Sequence, residues 1–188
     1  GGPCQAIVNV GDHVKRGQLV AVPAGLGANI HASLSGVVEE ITEIDIVVKL
    51  DKEQTDDYVR LEKTDDYLQK IKDAGIVGVG GAGFPTGIKF STQIPGGYLI
   101  ANAAECEPIL GHNVKFMEEQ PEVLVRGMKY IMELTGAKEG YIAIKTKYRK
   151  ALLALGKACK NEPNISIKIL PNMYPAGDER VIVRETLG

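Results

Sequence analysis

Glycine is concentrated in one short stretch of this sequence, Ile76 to Lys89. Four of the six residues from Gly78 to Gly83 are glycine, namely Gly78, Gly80, Gly81 and Gly83. Because glycine tolerates positive φ and lacks a Cβ, successive backbone N–H groups can turn towards an anion such as a phosphate. Pro85 and Thr86 predict the start of a helix whose positive end faces the loop, with Lys89 one turn further on. The stretch therefore predicts a phosphate-binding loop.

Two alternatives apply to the same glycines. They match the dinucleotide pattern G-x-G-x-x-G, with Glu105 near the distance expected of its ribose-binding acid. That pattern follows a strand and opens a long helix, whereas Asp66–Ala74 has helical periodicity and ends at Gly75. The prolines and glycines after Gly83 leave room for only a short helix. A Rossmann NAD site and a purely structural turn remain the alternatives to a phosphate loop of another kind.

Acidic residues follow one predicted strand and precede one predicted helix. Glu105 and Glu107 come after the strand Tyr98–Ala103, and their spacing would point both carboxylates the same way if the strand geometry continued. A solvated turn is the alternative for this pair. Asp178 follows Gly177 at the predicted helix N-terminus, where it is a candidate N-cap.

The elements that position these residues alternate between strand and helix. Tyr98–Ala103, Tyr141–Lys145 and Ile165–Leu170 are predicted strands. Two helices separate them, with apolar faces of Leu124, Met128, Ile131 and Leu134 after Pro121, and of Leu152, Leu155 and Cys159 within 148–160. This order predicts an α/β fold with a parallel sheet covered on both faces. Ligands bind beyond the carboxyl ends of such strands, where we expect the acidic turn, the Asp178 loop and the glycine loop to meet.

The first part of the chain predicts a small β module. Short β runs alternate with turns at Gly11-Asp12 and Ser35-Gly36; they are Ile7–Val10, Leu19–Val22, Ile30–Ala32, Val37–Val38 and Ile46–Leu50. The module resembles the half-barrels of biotinyl and lipoyl carrier domains. No lysine occurs from Gln18 to Val48, so it has no carrier lysine and is predicted to be structural or docking. The lone His13 and His31 are typical of surface residues rather than metal ligands.

Composition limits the function classes. The 188 residues are 44% hydrophobic with a net charge of −2, which suits a globular protein and disfavours nucleic acid as a partner. No apolar run is long enough to span a bilayer, so we expect a cytoplasmic protein that reaches a membrane only through partner subunits. Cys4, Cys106 and Cys159 have no C-x-x-C spacing and cannot hold an iron–sulfur cluster alone. We expect a module at 1–50, a solvated linker at 51–66 and an α/β domain at 67–188, truncated from a longer protein.

Two motifs carry a family resemblance. Gly78-Val-Gly-Gly-Ala-Gly-Phe-Pro-Thr86 and Asn102-Ala-Ala-Glu-Cys-Glu-Pro108 resemble the flavin-binding region of the NADH-oxidising subunit of respiratory complex I. The second motif, and Ile30-His-Ala-Ser in the β module, are closest to RnfC-like electron transport proteins, a group that includes proline reductase-associated and cobalamin-reducing members. Ala104 replaces an acid of the complex I motif, and Thr92 stands where an aromatic packs on the NADH adenine.

The resemblance implies roles for individual residues. Gly78, Gly80, Gly81, Gly83 and Lys89 would bind the FMN phosphate, and Asn102 and Glu105 the ribityl chain or ring edge. Phe84, Glu107 and Glu179 would face the NADH nicotinamide, while Tyr174, Gly177 and Asp178 would close the far wall. The family's next flavin contacts would lie beyond Gly188.

The implied activity is that of an oxidoreductase subunit. It would take hydride from NADH onto FMN and pass electrons to 4Fe-4S clusters held by cysteines in a missing C-terminal part. Its partners would be other subunits of an electron-transfer complex and ferredoxin-like or reductase proteins. A docking module of the same fold without flavin is the alternative.

Overall fold

A computed structural model of the protein describes residues 2–79, 82–107 and 109–188. The chain divides into two compact units, Gly1–Thr92 and Gln93–Gly188. The first holds two small antiparallel sheets and the second a parallel sheet between helices, which confirms the predicted fold class. Across the described ranges, no helix has both the length and the hydropathy of a bilayer-spanning segment.

The first unit begins with two three-stranded antiparallel sheets. One sheet is formed by β1 (Cys4–Ala6), β3 (Leu19–Pro23) and β4 (Ile30–His31), and the other by β2 (His13–Val14), β5 (Gly36–Ile41) and β6 (Ile46–Leu50). Their shared core consists of buried small apolar side chains, namely Val14, Val20, Ala32 and Val38. Alternation along each strand brings these side chains inward.

Two predictions about this module are wrong. Ile7–Val10 is not a strand, because Asn9 and Asp12 form a turn in which the Asn9 N–H donates to Asp12 Oδ2 at 2.7 Å. Gly36 is not a turn residue but begins β5. A Cβ on Gly36 would lie 2.3 Å from the Lys49 carbonyl oxygen, so glycine is required there by close approach of the paired strand.

The segment after β6 has no regular structure through Asp66, and hydrogen bonds join it to the β module. The Val59 N–H donates to the Arg16 carbonyl at 2.8 Å, and Gln54 Nε2 donates to the Ser35 carbonyl at 2.8 Å. Two helices follow in the same unit, α1 (Tyr67–Asp73) and α2 (Thr86–Lys89). Asn29 Nδ2 donates to the carbonyl of Asp73 at the end of α1, so α1 also contacts the module.

The second unit is built on a parallel sheet in the order β7-β8-β9. Its strands are β7 (Tyr98–Ala103), β8 (Glu139–Lys145) and β9 (Ile165–Leu170). Its helices are α3 (His112–Glu119), α4 (Pro121–Thr135), α5 (Arg149–Ala158) and α6 (Glu179–Leu187). The strands pair in register, from Tyr98 with Glu139 and from Gly140 with Ile165, so their carboxyl ends lie at one edge.

The two faces of this sheet have separate cores. Ile142 and Ile144 of β8 pack in a cluster with Met128 of α4 and Leu155 of α5. The intervening Ala143 belongs to a second cluster, with Leu170 of β9 and Ile182 of α6. Side chains of a strand alternate between faces, so the unit has three layers with helices on both sides.

The buried face of α4 differs from the predicted one. Val125, Met128 and Met132 are its buried apolar residues, whereas Leu124 is only half-buried against the same cluster. The buried face is therefore shifted by one residue from the expected one, and the two faces share Met128.

Candidate functional site

The glycine loop lies in the first unit, and hydrogen bonds join the two chain segments at its base. The Gly78 N–H donates to the Phe84 carbonyl at 3.0 Å, and the Thr86 N–H donates to the Ile76 carbonyl at 2.9 Å. Val77 and Pro85 form an isolated antiparallel bridge between these bonds. These contacts hold Gly78 and Phe84 side by side. Gly80 and Gly81, two of the predicted phosphate-binding residues, lie outside the described residues.

The described glycines of this loop are not required by packing. A Cβ on Gly83 would meet nothing within 4 Å, and one on Gly78 would meet only the Phe84 backbone at ordinary contact distance. Gly83 has a φ of 64°, in the region that favours glycine. An open backbone with a left-handed residue suits the approach of a phosphate, so this part of the loop fits the predicted ligand.

The surroundings of the loop argue against one of the sequence alternatives, the Rossmann NAD site. α1 precedes it and the four-residue α2 follows it, whereas a dinucleotide-binding loop follows a strand and opens a long helix. Because α2 is barely one turn long, its dipole contributes less positive potential than expected. Lys89 is the basic residue in its last turn. Lys89 and Phe84 are exposed in this unit, and Lys89 Nζ lies 5.8 Å from the Phe90 ring centroid.

Asn102 joins two loops at the carboxyl edge of the parallel sheet in the second unit. Its Nδ2 donates to the Gly177 carbonyl at 2.8 Å, and its Oδ1 accepts from the Ala104 N–H at 3.2 Å. Both ends of the amide are thus engaged inside the protein. Ala104, one of the departures from the complex I motif, is fully buried in the cluster of Ala143 and Leu170.

The acidic turn does not continue the strand. β7 ends at Ala103 and Glu105 has a φ of 31°, so the strand geometry that would point Glu105 and Glu107 the same way does not continue. The Glu105 carboxylate is held by two donors: the Glu107 N–H at 3.3 Å and Asn113 Nδ2 of α3 at 2.9 Å. Glu107 is exposed.

The loop from β9 to α6 contacts this turn through Gly177. The Gly177 N–H donates to Cys106 Sγ at 3.2 Å, and a Cβ on Gly177 would lie only 2.8 Å from that sulfur. Asp178 is the N-cap of α6, as predicted, and its Oδ1 accepts from the N–H groups of Arg180 and Val181. Glu179 is exposed in the first turn of α6.

A cavity of about 460 Å³ opens at this edge of the sheet. It is bordered by three predicted site residues, Glu105, Glu107 and Tyr174, of which Tyr174 is 80% exposed. Lys145 and Tyr148 also border it and are not among the predicted residues. The rule that ligands bind at strand carboxyl ends points to them, because Lys145 ends the middle strand and Tyr148 lies just after it, but their sequence lacks glycine or paired acids.

Comparison with protein families gives two matches. Residues 71–188 match the family described as the Nuo51 FMN-binding domain. Residues 1–59 match the RnfC barrel sandwich hybrid domain.

Among curated proteins, the chain is similar to a subunit of the Na(+)-translocating ferredoxin:NAD(+) oxidoreductase complex of Acetobacterium woodii. The identity is 35%, over 100% of this chain and 47% of the relative. The chain is also 46% identical to the cobalamin reductase PduS of Salmonella typhimurium, over 61% of this chain and 25% of that protein. The chain thus spans less than half the length of either relative.

Among solved structures, an NAD+-reducing [NiFe]-hydrogenase in its air-oxidized state is similar to 63% of this chain. The TM-score is 0.53, the sequence identity is 29%, and 23% of the hydrogenase chain is covered.

Proposed function

The chain belongs to the Nuo51 FMN-binding family and carries an RnfC barrel sandwich hybrid domain, and on that premise we propose that it is the flavin-binding part of an electron-transfer subunit. The subunit binds FMN, takes hydride from NADH and passes electrons to iron–sulfur clusters held elsewhere in the full-length protein. The observation that carries this proposal is that the family match, 71–188, includes the glycine loop, the acidic turn and the Asp178 loop.

The glycine loop has the role of holding the phosphate. Gly78, Gly80, Gly81 and Gly83 form the cradle: the Gly78 N–H closes its base by donating to the Phe84 carbonyl, and the N–H groups of Gly80, Gly81 and Gly83 donate to the phosphate. The exposed Lys89 neutralises the phosphate charge. Gly83 supports this assignment, because it has a positive φ and an open Cβ position. A side chain in the loop would occupy the space that a phosphate needs.

The second unit contributes polar groups for the rest of the cofactor. Asn102 and Glu105 hold the ribityl chain or ring edge, and Tyr174, Gly177 and Asp178 form the far wall. Glu107 and Glu179, with Phe84 of the glycine loop, face the nicotinamide. When bound, FMN accepts two electrons together and releases them singly. The negative charge of Glu105 and Glu107 disfavours an anionic reduced ring and so lowers the flavin potential.

The proposed domain limits are the module at 1–50, the linker at 51–66 and the flavin domain at 67–188. The relatives include a cobalamin reductase and a ferredoxin:NAD(+) oxidoreductase subunit, so the proposed partners are redox proteins or further subunits of such a complex. Contact with a membrane is proposed to occur through those subunits.

The first test uses the full-length protein, purified without oxygen. We expect tightly held FMN whose absorbance NADH bleaches. Glu107→Gln should slow the bleaching, whereas Glu133→Gln, an exposed carboxylate on α4, should leave it unchanged. A protein that stays colourless after reconstitution with FMN contradicts the proposal and favours the docking module.

The second test separates a phosphate loop from a structural turn. Gly81→Val should abolish FMN binding in the full-length protein with little change in melting temperature. Gly156→Val is the matched control, because a Cβ on Gly156 of α5 meets nothing within 4 Å. A Gly81→Val protein that binds FMN as tightly as the parent would show that the loop is a structural turn.

A further inference from the structure

Two donors from different elements converge on one carbonyl of the acidic turn. Lys145, the last residue of β8, donates from Nζ to the Glu105 carbonyl at 3.3 Å. Tyr148, the residue that precedes α5, donates from Oη to the same oxygen at 3.2 Å. A carbonyl oxygen has two lone pairs, so both bonds can form together.

This carbonyl belongs to a residue that needs outside support. Glu105 has a φ of 31°, a region that residues other than glycine rarely adopt. Such conformations persist where the surrounding structure over-determines them, and they concentrate at functional sites. The hydrogen bonds from Lys145 and Tyr148 hold the Glu105 backbone in this conformation.

The position of Lys145 supports the same interpretation. Its side chain is 4% exposed, and no carboxylate in the described ranges lies within ion-pair distance of it. A buried ammonium is costly unless polar groups satisfy it. Its contacts are the Glu105 carbonyl and Cys106 Sγ, the latter at 3.5 Å, so both lie in the acidic turn.

The backbone of the acidic turn also fixes the carboxylate that it carries. Glu105 Oε2 accepts from Asn113 and Oε1 from the Glu107 N–H, so a change in the Glu105 backbone would displace both bonds. We propose that Lys145 and Tyr148 are positioning residues of this site, which hold the acidic turn in the conformation that presents Glu105 and Glu107 to flavin and nicotinamide. This inference rests on the proposed function for its ligands. The pair of hydrogen bonds from Lys145 and Tyr148 to the Glu105 carbonyl, which we call the clamp, is a property of this chain.

The test compares Tyr148→Phe, Lys145→Met and Lys145→Arg in the full-length protein. Tyr98→Phe, at the opposite end of the sheet, and Lys150→Met, exposed on α5, are the matched controls. Amide hydrogen exchange of Ala104 to Glu107, measured without flavin, should accelerate about tenfold in the first two variants, the factor expected from one lost hydrogen bond. Lys145→Arg should restore slow exchange, because a guanidinium keeps the charge and the donors.

In the flavin-loaded protein, kcat and the flavin potential distinguish a positioning role from a purely structural one. With FMN content unchanged, Tyr148→Phe and Lys145→Met should lower kcat for NADH oxidation about tenfold and leave KM within about twofold. Lys145→Met should also lower the flavin potential, whereas Lys145→Arg and Tyr148→Phe should not, because they keep the positive charge.

The outcomes separate the two proposals. Unchanged exchange at Ala104 to Glu107 in Tyr148→Phe and Lys145→Met overturns the clamp, whatever the flavin does. Accelerated exchange with unchanged kcat and potential overturns the positioning role. If the parent binds no FMN, the proposed function fails while the exchange result still decides the clamp. If Lys145→Met does not fold, Tyr148→Phe decides alone, because it removes only a hydroxyl.

Discussion

Glycine is required at position 177 by close packing rather than by an unusual backbone conformation. Its N–H donates to Cys106 Sγ and its carbonyl accepts from Asn102, so the peptide is held from both sides. A Cβ would lie 2.8 Å from Cys106 Sγ and 3.3 Å from the Ala104 Cβ. Interiors are close-packed, so an added methyl group forces a shift of one of the two loops.

Substitution of Gly177 by alanine should therefore destabilise the second unit by about 1–3 kcal/mol, the usual cost of overpacking. The cost should fall when Cys106 is also replaced by alanine, because the sulfur that the methyl meets is then absent. Denaturant unfolding of the single and double variants gives the coupling free energy. Additive effects would show that the Gly177–Cys106 contact is not what excludes a side chain.

Tyr141 provides a pH-dependent contribution to stability. Its hydroxyl donates to Glu139, and this hydrogen bond, with burial as the second cause, raises the pKa of Tyr141 to about 12. The folded form therefore holds this proton more tightly than the unfolded chain, in which the pKa is about 10. The contribution is fully present below about pH 10 and is lost as the pH rises through about 12.

The expected result is a difference in melting temperature between the parent and Tyr141→Phe that is constant up to about pH 10 and shrinks above it. Glu139→Gln is the matched variant, because it removes the charged acceptor and should move the tyrosine titration to lower pH. A difference that grows with pH above 10 would contradict the assigned direction of the shift.

At the scale of elements, α6 depends on its cap. Asp178 Oδ1 accepts from two N–H groups of the first turn, which would otherwise lack partners. Asp178→Ala should cost about 0.5–2 kcal/mol of stability, whereas Asp178→Asn keeps an oxygen acceptor and should cost much less. Thermal denaturation measures the capping effect of both variants, and FMN titration measures the proposed cofactor contact. If Asp178→Asn is stable but no longer binds FMN, flavin binding depends on the negative charge of Asp178.

Elements with strong apolar patterns are the ones that the sequence predicts well. β7 and β9 have the predicted bounds, because Tyr98–Ala103 and Ile165–Leu170 are β-rich runs between turn residues. The sequence does not predict α3, because Val114 and Met117 are its only inward apolar residues and no side chain caps its start. Short polar helices of this kind are specified by tertiary packing rather than by periodicity.

The predicted site shows the same division. Asp178 has an N-cap signature that depends only on neighbouring residues. The reversal at Glu105 has no such signature, because a left-handed glutamate is stabilised by Lys145 and Tyr148, about 40 residues away in sequence. Contacts at that separation depend on the order of strands in the sheet, which local patterns do not encode.

At the scale of the whole molecule, each compact unit has its own core. Val14, Val20, Ala32 and Val38 form the core of the first, and the two clusters around β8 form the core of the second. A unit with its own hydrophobic core can open as a separate cooperative unit, and we expect this of both units.

Substitutions in one core should therefore affect one unit only. Leu155→Ala removes a fully buried side chain from the second unit and should cost about 2–5 kcal/mol there, while Val14→Ala should cost less because it removes fewer methyl groups. Amide hydrogen exchange resolves the effect by segment: Leu155→Ala should accelerate exchange in 93–188 and leave β5 and β6 protected, and Val14→Ala should do the reverse. If either substitution accelerated exchange equally in both units, the chain would unfold as one cooperative body and the separation of its cores would carry no energetic meaning.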